Sequence, residues 1–322
     1  VAYHHAGLAP IVKEFVEFLF INRHIDILFA TETLSLGINM PAKSIIIDSS
    51  FKFDGLKTRL ISKSEFLQLT GRAGRRGIDS KGYAYINYDK RVENSWYNDL
   101  FDLKPNNLKS SYSNSYGSVL NLNNKYGEKK GIEMIKKSFY SYQNKLNDKA
   151  LETNYKAKLK VLNEMNYFTD LKKNKLLTET HRDNLILGIE MLNQNNDIEF
   201  CLMFLASGIS TSKYEISVHD KYNSLLTKYL ITQEKVNKLE AFSGVKNKIN
   251  LDITWFSIFL EFYNSENIEY TLSKFNVTLG DFIKACREAS EISQKVYSIY
   301  EIENFDKIAK KLKHNIIQKT MI

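Results

Sequence analysis

Residues 1–90 alternate short apolar runs with a segment in which apolar residues recur at helical spacing. The apolar runs at 25–30, 44–47 and 83–86 predict buried strands, and the spacing within 11–20 predicts a helix. Strands separated by helical segments are typical of a parallel sheet covered by helices. The first part of the chain is therefore predicted to be α/β.

Beyond residue 90 the pattern becomes mainly helical. Residues 131–143 predict one helix, and residues 155–168 predict a second, amphipathic one. A Lys-rich turn at 170–175 and a short apolar strand at 176–178 are expected to follow it. Helix, basic turn and strand in this order are typical of the recognition helix and wing of a winged-helix module, which is predicted in this part of the chain.

Residues 181–322 predict an all-helical region. Cys201 and Cys286 both lie in apolar helical runs, without the spacing of a metal site, so neither a disulfide framework nor a metal site is predicted. A reducing cytoplasm is the expected setting. No apolar stretch approaches the roughly 20 residues that a membrane span requires, so no membrane partner is expected. Helical spacing is clearest at Ile283, Cys286, Ala289, Ile292, Val296 and Ile299.

The net charge of +8 over 322 residues is concentrated in the middle of the chain, in residues 91–180. A local basic excess favours a face that binds a polyanion such as a nucleic acid. The same excess is expected in a chain that is simply rich in lysine and asparagine. Charge alone leaves these two interpretations open.

A run of glycine and arginine at residues 68–77, QLTGRAGRRG, carries the most specific chemistry in the sequence. Arg72 and Arg75 are three residues apart, which predicts that both lie on one face of a helical turn. Gly71 and Gly74 place no side chain between the arginines and an approaching ligand. A guanidinium group binds phosphate oxygens in a bidentate way and stays charged at any working pH. The run therefore predicts contact with the phosphates of a nucleotide.

This run resembles motif VI of superfamily 2 helicases, in the form used by the superkiller-like (DEVH-box) helicases that include the exosome-associated RNA helicases. The resemblance implies that Arg72 and Arg75 are catalytic and stabilise charge on the γ-phosphoryl group of a nucleotide bound by another domain. It also implies that the catalytic Gln68 helps to position the nucleotide and that Gly71 is part of the nucleotide-binding site.

Residues 29–42, FATETLSLGINMPA, resemble motif V of the same family. Thr31 and Thr33 stand where a strand is expected to meet a helix, so their hydroxyl groups and the helix amides are suited to hold a nucleic-acid phosphate. The resemblance places Gly37 and Asn39 near the bound nucleotide.

Weaker resemblances extend along the chain. The segment around His5 is similar to the motif IV region, which implies contact with nucleic acid, although a pair of histidines is also typical of a structural role. Residues 108–143 resemble the opening of the winged-helix domain of the exosome-associated branch, without the long arch that eukaryotic members insert after it. Residues 279–287 resemble its C-terminal helical (DSHCT) domain, and Lys284 and Arg287 match basic positions that touch the translocating strand. Solvated charges on an exposed helix would explain these two residues equally well.

Two motifs of the family are missing from the sequence. It contains no phosphate-cradling GxxxxGK followed by Ser or Thr, and no Asp-Glu pair of the kind that holds Mg²⁺ in these helicases. In the family both belong to a first RecA-like domain, which is expected to precede Val1 and to hold ATP with Mg²⁺. On that basis this chain alone is predicted not to hydrolyse ATP.

The predicted fold class is α/β followed by all-α, with a partial RecA-like parallel sheet, then a winged-helix module and a C-terminal helical bundle. The expected domains are a second RecA-like domain at 1–92, a connector and winged-helix-like domain at 93–180, and a helical domain at 181–322. The resemblance implies the C-terminal part of an ATP-dependent helicase that acts on single-stranded nucleic acid, with RNA favoured over DNA. The alternative is a non-catalytic nucleic-acid-binding or scaffold protein built from a remnant of the motor.

Overall fold

The chain divides into two compact units, Val1–Leu108 with Thr278–Asp281, and Lys109–Val277 with Phe282–Ile322. No helix in the described part of the chain is long and apolar enough to cross a membrane. The computed structural model describes residues 1–5, 7–31, 42–53, 58–75, 77–102, 108, 110, 112, 114–144, 148–194, 196–209, 214–245 and 248–320.

The first unit contains both strands and helices, as the alternation in its sequence predicts. Its described strands are β1 (Ala2–His4), β2 (Leu28–Ala30), β3 (Ser44–Ile47), β4 (Phe51–Phe53), β5 (Thr58–Leu60) and β6 (Tyr83–Ile86). Its described helices are α1 (Pro10–Ile21), α2 (Lys63–Thr70) and α3 (Asn94–Phe101).

The predicted parallel pairing of strands is present in this unit. Strand β1 pairs with β2, and β3 pairs with β6, in both cases in parallel, whereas β4 and β5 form an antiparallel hairpin. The strand expected at 25–30 is shorter than predicted, because its pairing with β1 begins where Ala2 lies opposite Leu28. Helices α2 and α3 contribute to the core cluster of buried side chains, which comprises Ile47, Ile61, Phe66 and Leu100.

The described secondary-structure elements of the second unit are all helices, in agreement with the prediction for residues 181–322. Its described α-helices are α4 (Tyr116–Lys136), α5 (Phe139–Asn144), α6 (Asp148–Glu164), α7 (Leu171–Thr180), α8 (Ile186–Ile189), α9 (Ile198–Ser207), α10 (Asn223–Ser243), α11 (Trp255–Ser265), α12 (Ile268–Phe275), α13 (Leu279–Tyr300, from Phe282 onwards in this unit) and α14 (Glu303–Thr320).

The turn and short strand predicted at 170–178 are wrong, because this segment is helix α7. The side chain of Asp170 accepts hydrogen bonds from the backbone amides of Lys172 at 3.0 Å and Lys173 at 3.1 Å, and so caps the start of the helix. Leu176 and Leu177, which suggested a strand, are buried on the helix. The expected wing is therefore not formed by these residues, and the winged-helix assignment for the region stays a prediction.

Helix α13 is the element for which periodicity was most informative. The six residues that the spacing selected are all buried in it, because side chains three and four positions apart lie on one face of a helix. Those residues are Ile283, Cys286, Ala289, Ile292, Val296 and Ile299.

Candidate functional site

Helix α2 leads directly into the run of glycine and arginine. The Oγ of Ser62 accepts a hydrogen bond from the amide of Glu65 at 3.3 Å, and the Glu65 carboxylate accepts one from the amide of Ser62 at 2.7 Å. This capping box satisfies amides that have no partner within the helix. Phe66 anchors the buried face of α2, whereas Gln68 is exposed. The helix is thus fixed at its start and presents Gln68 to solvent.

The helix ends before the two arginines, so the prediction that Arg72 and Arg75 share a helical turn is wrong. The amide of Gly74 donates to the carbonyl of Ala42 at 2.7 Å, and the amide of Ala42 donates to the carbonyl of Arg72 at 3.0 Å. These bonds form a parallel bridge between Ala42 and Ala73. Gly74 has a φ of 91°, which glycine adopts without strain. The chain therefore leaves the helical path between the two arginines.

Gly82, just before strand β6, packs against this segment. A Cβ atom at position 82 would lie 2.4 Å from the carbonyl carbon of Ala73 and 2.6 Å from the amide nitrogen of Gly74. Atoms that are not bonded do not approach so closely, so only glycine fits at position 82 without displacing the backbone. Gly82 is thus a packing requirement of the arginine-bearing loop.

Arg75 is held by a neighbouring carboxylate. Asp79 Oδ2 accepts hydrogen bonds from Nε of Arg75 at 2.7 Å and from its backbone amide at 3.0 Å, and Oδ1 accepts from Nη2 at 2.7 Å. The side chain of Asp79 is 7% exposed and that of Arg75 is 27% exposed. Hydrogen bonding to the guanidinium lowers the pKa of Asp79 to about 2, against desolvation, and raises the pKa of Arg75. The pair therefore stays ionised near neutral pH.

The structure brings four of the predicted nucleotide-site residues together on this segment. Gln68 and Gly71 are exposed at the end of α2, and Arg72 and Arg75 are partly exposed in the loop that follows. A segment of this kind, with two guanidinium groups and an amide side chain, can bind an anionic phosphate group.

Two of the predicted strand-binding residues lie at neighbouring strand ends. His5 directly follows β1 and Thr31 directly follows β2, and the amide of Thr31 donates to the carbonyl of His4 at 3.1 Å. The Nδ1 of His5 accepts a hydrogen bond from the amide of Gly7 at 3.1 Å. His5 and Thr31 are therefore adjacent, as expected for parallel strands that end at the same edge of a sheet. Three further predicted residues, Thr33, Gly37 and Asn39, lie outside the described residues.

The two basic residues expected to touch a translocating strand lie on helix α13, in the second unit. Lys284 and Arg287 are both exposed, and the Lys284 side chain is 77% exposed. The Nζ of Lys284 lies 4.0 Å from Oε1 of Glu288, and the other carboxylate oxygen, Oε2, accepts a hydrogen bond at 2.9 Å from Nη2 of Arg182. The helix thus presents two cations to solvent beside one carboxylate that is already paired.

Three residues of the site were missed in the sequence, and two of them, Glu65 and Asp79, have a recognisable signal. Glu65 stands three residues after Ser62, which is the spacing of a capping box. Asp79 stands four residues after Arg75, a spacing at which opposite charges often pair. Gly82 has only its identity as a glycine before a strand, which does not predict what packs against it.

Comparison with known proteins finds helicases that match the part of the chain containing the arginine-bearing segment. The family model described as the helicase conserved C-terminal domain matches residues 1–77. The ATP-dependent RNA helicase mtr4 of Schizosaccharomyces pombe is 35% identical over 217 residues, which cover 65% of this chain and 18% of that protein. The exosome RNA helicase MTR4 of Homo sapiens is 41% identical over 143 residues, covering 44% and 14%. The probable helicase HelY of Mycobacterium tuberculosis is 39% identical over 142 residues, covering 44% and 16%.

Residues 1–77 therefore form the conserved C-terminal domain of a helicase. The matched segments correspond to part of the C-terminal region of superkiller-like superfamily 2 helicases. The matched segments span 14% to 18% of the length of these three relatives.

Proposed function

We propose that this chain supplies the C-terminal part of an ATP-dependent motor that moves along single-stranded nucleic acid. RNA is favoured over DNA because two of the relatives named above are RNA helicases. In this proposal ATP and Mg²⁺ are held mainly by a first RecA-like domain that carries the phosphate-binding motifs missing from this sequence.

The observation that carries the proposal is the geometry of Arg75. Its guanidinium group is fixed by Asp79 in a loop, yet remains partly exposed to solvent. A guanidinium supplied to a nucleotide on a neighbouring domain stabilises charge that develops during phosphoryl transfer. Gln68 and Arg72 lie on the same segment, and we propose that they contribute to the same nucleotide site.

His5 and Thr31 support the strand-binding part of the proposal. They are adjacent at the ends of β1 and β2, where a hydroxyl group and an imidazole can bind the sugar-phosphate backbone. Contacts to the backbone carry no sequence information and lose affinity as salt rises. We therefore propose strand binding that is sequence-independent and salt-sensitive.

The test is Arg75→Ala in a polypeptide that joins this chain to a domain with the phosphate-binding motifs. We expect strand-stimulated ATP hydrolysis to fall by about 10³-fold or more, as for other arginine fingers, with strand binding preserved. Arg91→Ala is the matched control, because Arg91 makes a similar fork with Asp89 away from the glycine-arginine run. Near-normal ATP hydrolysis by the Arg75→Ala variant would contradict the catalytic role of Arg75.

A second measurement separates the motor from the non-catalytic alternative. The chain alone is expected to bind single-stranded RNA without hydrolysing ATP, because the motifs that hold the ATP phosphates are proposed to lie in another domain. Strand-stimulated ATP hydrolysis by the chain alone would contradict the proposal that ATP is held mainly by another domain. Wild-type joined polypeptide that binds strand but never hydrolyses ATP would support a scaffold or binding role instead.

A further inference from the structure

The carboxylate of Asp79 binds the guanidinium group of Arg75 along one side only. It accepts the N–H of Nε and one N–H of Nη2, each at 2.7 Å. A guanidinium group has five N–H donors, so three remain beyond this pair, on Nη1 and on the outer side of Nη2. The outer N–H of Nη2 and the neighbouring N–H of Nη1 form the end-on edge, which matches two oxygens of a phosphate group.

The backbone around Arg75 is fixed by the same carboxylate. Asp79 Oδ2 also accepts from the amide of Arg75 at 3.0 Å, and the carbonyl of Arg75 accepts from the amides of Ile78 at 3.0 Å and Asp79 at 2.9 Å. On the other side, the amide of Gly74 is bonded to Ala42. Both the head group and the backbone of Arg75 are therefore restrained before any ligand binds.

Restraint of this kind matters because a free arginine side chain is costly to order. It carries about 2 kcal/mol of rotamer entropy, and a fixed guanidinium loses less of it when it binds a ligand. Outer partners that orient a functional group are a general device of binding sites. The low pKa of Asp79, about 2, keeps its carboxylate charged across the whole working pH range.

We propose that Asp79 is a positioning residue, which presents the end-on edge of Arg75 to a nucleotide phosphate. The inference rests on the proposed function, in which Arg75 contacts that phosphate. Asp79 itself is not expected to touch the nucleotide. Its role is to fix the direction in which the guanidinium points.

The experiment uses the same joined polypeptide and follows steady-state ATP hydrolysis in the presence of single-stranded RNA. Asp79→Asn keeps the shape of the side chain but cannot accept both guanidinium N–H groups as a carboxylate does. We expect kcat to fall by about 10–100-fold, by analogy with the outer partners that orient metal ligands, with KM for ATP and RNA affinity unchanged. The pH profile between pH 6 and 9 is expected to keep its shape, given the low pKa of Asp79.

A double-mutant cycle distinguishes positioning from general loss of structure. If Asp79 acts through Arg75, Asp79→Asn has no further effect on kcat in an Arg75→Ala background. Asp79→Glu is the second variant, because it keeps the charge while moving the carboxylate by one methylene. It is expected to lower kcat with an unchanged melting temperature, which keeps the test valid if Asp79→Asn fails to fold.

Asp89→Asn is the matched control. Asp89 accepts from Nε of Arg91 at 3.0 Å, from its Nη2 at 2.6 Å and from its amide at 2.9 Å, so the same kind of fork is removed elsewhere in the unit. Hydrolysis by this variant is expected to match the wild type. An unchanged or increased kcat in Asp79→Asn would overturn the positioning role. Normal hydrolysis in Arg75→Ala would instead overturn the proposed function, so the two failures are distinguishable.

Discussion

The carboxylate of Glu65 accepts two hydrogen bonds from the guanidinium group of Arg59, at 2.9 Å from Nη1 and 2.8 Å from Nη2. Lys52 donates to the same carboxylate at 2.7 Å, and Lys52 and Arg59 are cross-strand partners in the β4–β5 hairpin. Glu65 therefore joins the hairpin to the start of α2, the helix that carries Gln68. The hydrogen bonds from Arg59, then those from Lys52 and Ser62, lower its pKa well below the usual range despite desolvation.

Glu65→Gln is expected to destabilise the first unit without removing the helix cap. Glutamine still accepts the amide hydrogen bond of a capping box, but it carries no charge for Arg59 and Lys52. We expect a loss of about 1.5–3 kcal/mol in the free energy of unfolding at pH 7, the usual range for hydrogen bonds to charged groups. Urea denaturation of the chain, followed at an aromatic signal of the first unit, measures it.

The same variant has a defined pH dependence. The pKa of Glu65 is lower in the folded chain than in the unfolded chain, where the pKa of a Glu side chain is about 4.3. The stabilisation is therefore complete above that value and is lost progressively as the pH falls below it. The difference between wild type and Glu65→Gln should shrink from pH 7 to pH 3. Glu234→Gln, at an exposed pair with Lys238, is the control and should change little at either pH.

Gly82→Ala is expected to disturb the arginine-bearing loop. The new Cβ would meet the backbone of Ala73 and Gly74, so the bridge between Ala42 and Ala73 must move apart. We expect a cost of about 1–3 kcal/mol, as for overpacking at a tight site. Hydrogen exchange of the Gly74 amide should also become faster.

Gly77→Ala is the matched control for that substitution. Gly77 has a φ of 78°, but nothing lies within 4 Å of a Cβ there, so only conformational strain of about 1–2 kcal/mol is expected. The Gly74 amide should keep its wild-type exchange rate in this variant. Equal exchange rates in both variants would contradict the close packing of Gly82.

The two cysteines are expected to be inert in the folded chain. Cys201 and Cys286 are both fully buried, and desolvation raises the pKa of Cys201 to about 12 and that of Cys286 well above its usual range. A thiol reacts as its thiolate, so neither should react with an aromatic disulfide reagent at pH 8 until the chain unfolds. Ser298→Cys, at an exposed position of α13, is the control and should add one rapidly reacting thiol.

The sequence predicts buried faces better than it predicts hydrogen-bond partners. The spacing of apolar residues in α13 follows from helix geometry alone, so Ile283, Cys286 and Val296 could be placed on its buried face. Leu176 and Leu177 are equally apolar, but two adjacent residues define no period. Leu176 and Leu177 lie in a helix whose first turn is capped by Asp170. Such a cap depends on backbone conformation, which composition does not specify.

For the candidate site too, the sequence predicts which residues take part better than it predicts where they lie. The identity of Arg72 and Arg75 as phosphate-binding residues could be inferred from side-chain chemistry and resemblance. Their placement could not, because the positive φ of Gly74 and the bridge to Ala42 depend on a segment thirty or so residues away. The spacing of Arg75 and Asp79 is the same in a helix and in the observed loop. Only the fold reveals that the pair forms outside a helix.

Lys284 and Arg287 provide the sharpest test of strand binding by the second unit. If both bind phosphates, Lys284→Ala with Arg287→Ala should weaken binding of single-stranded RNA uniformly across sequences. The slope of log affinity against log salt should become shallower by about 0.7 for each phosphate that is no longer neutralised. Fluorescence anisotropy with labelled oligonucleotides at several salt concentrations measures both quantities.

The controls for this prediction come from the same unit. Lys238→Ala removes a charge that is 75% exposed on α10, so it tests whether loss of net charge alone accounts for the effect. It should leave the salt slope unchanged, because the proposal gives Lys238 no phosphate to bind. An equal loss of affinity in Lys238→Ala would mean that Lys284 and Arg287 are solvated charges. Running the series with DNA of the same sequence tests the preference for RNA, because the 2′-hydroxyl group is what distinguishes the backbone of RNA from that of DNA.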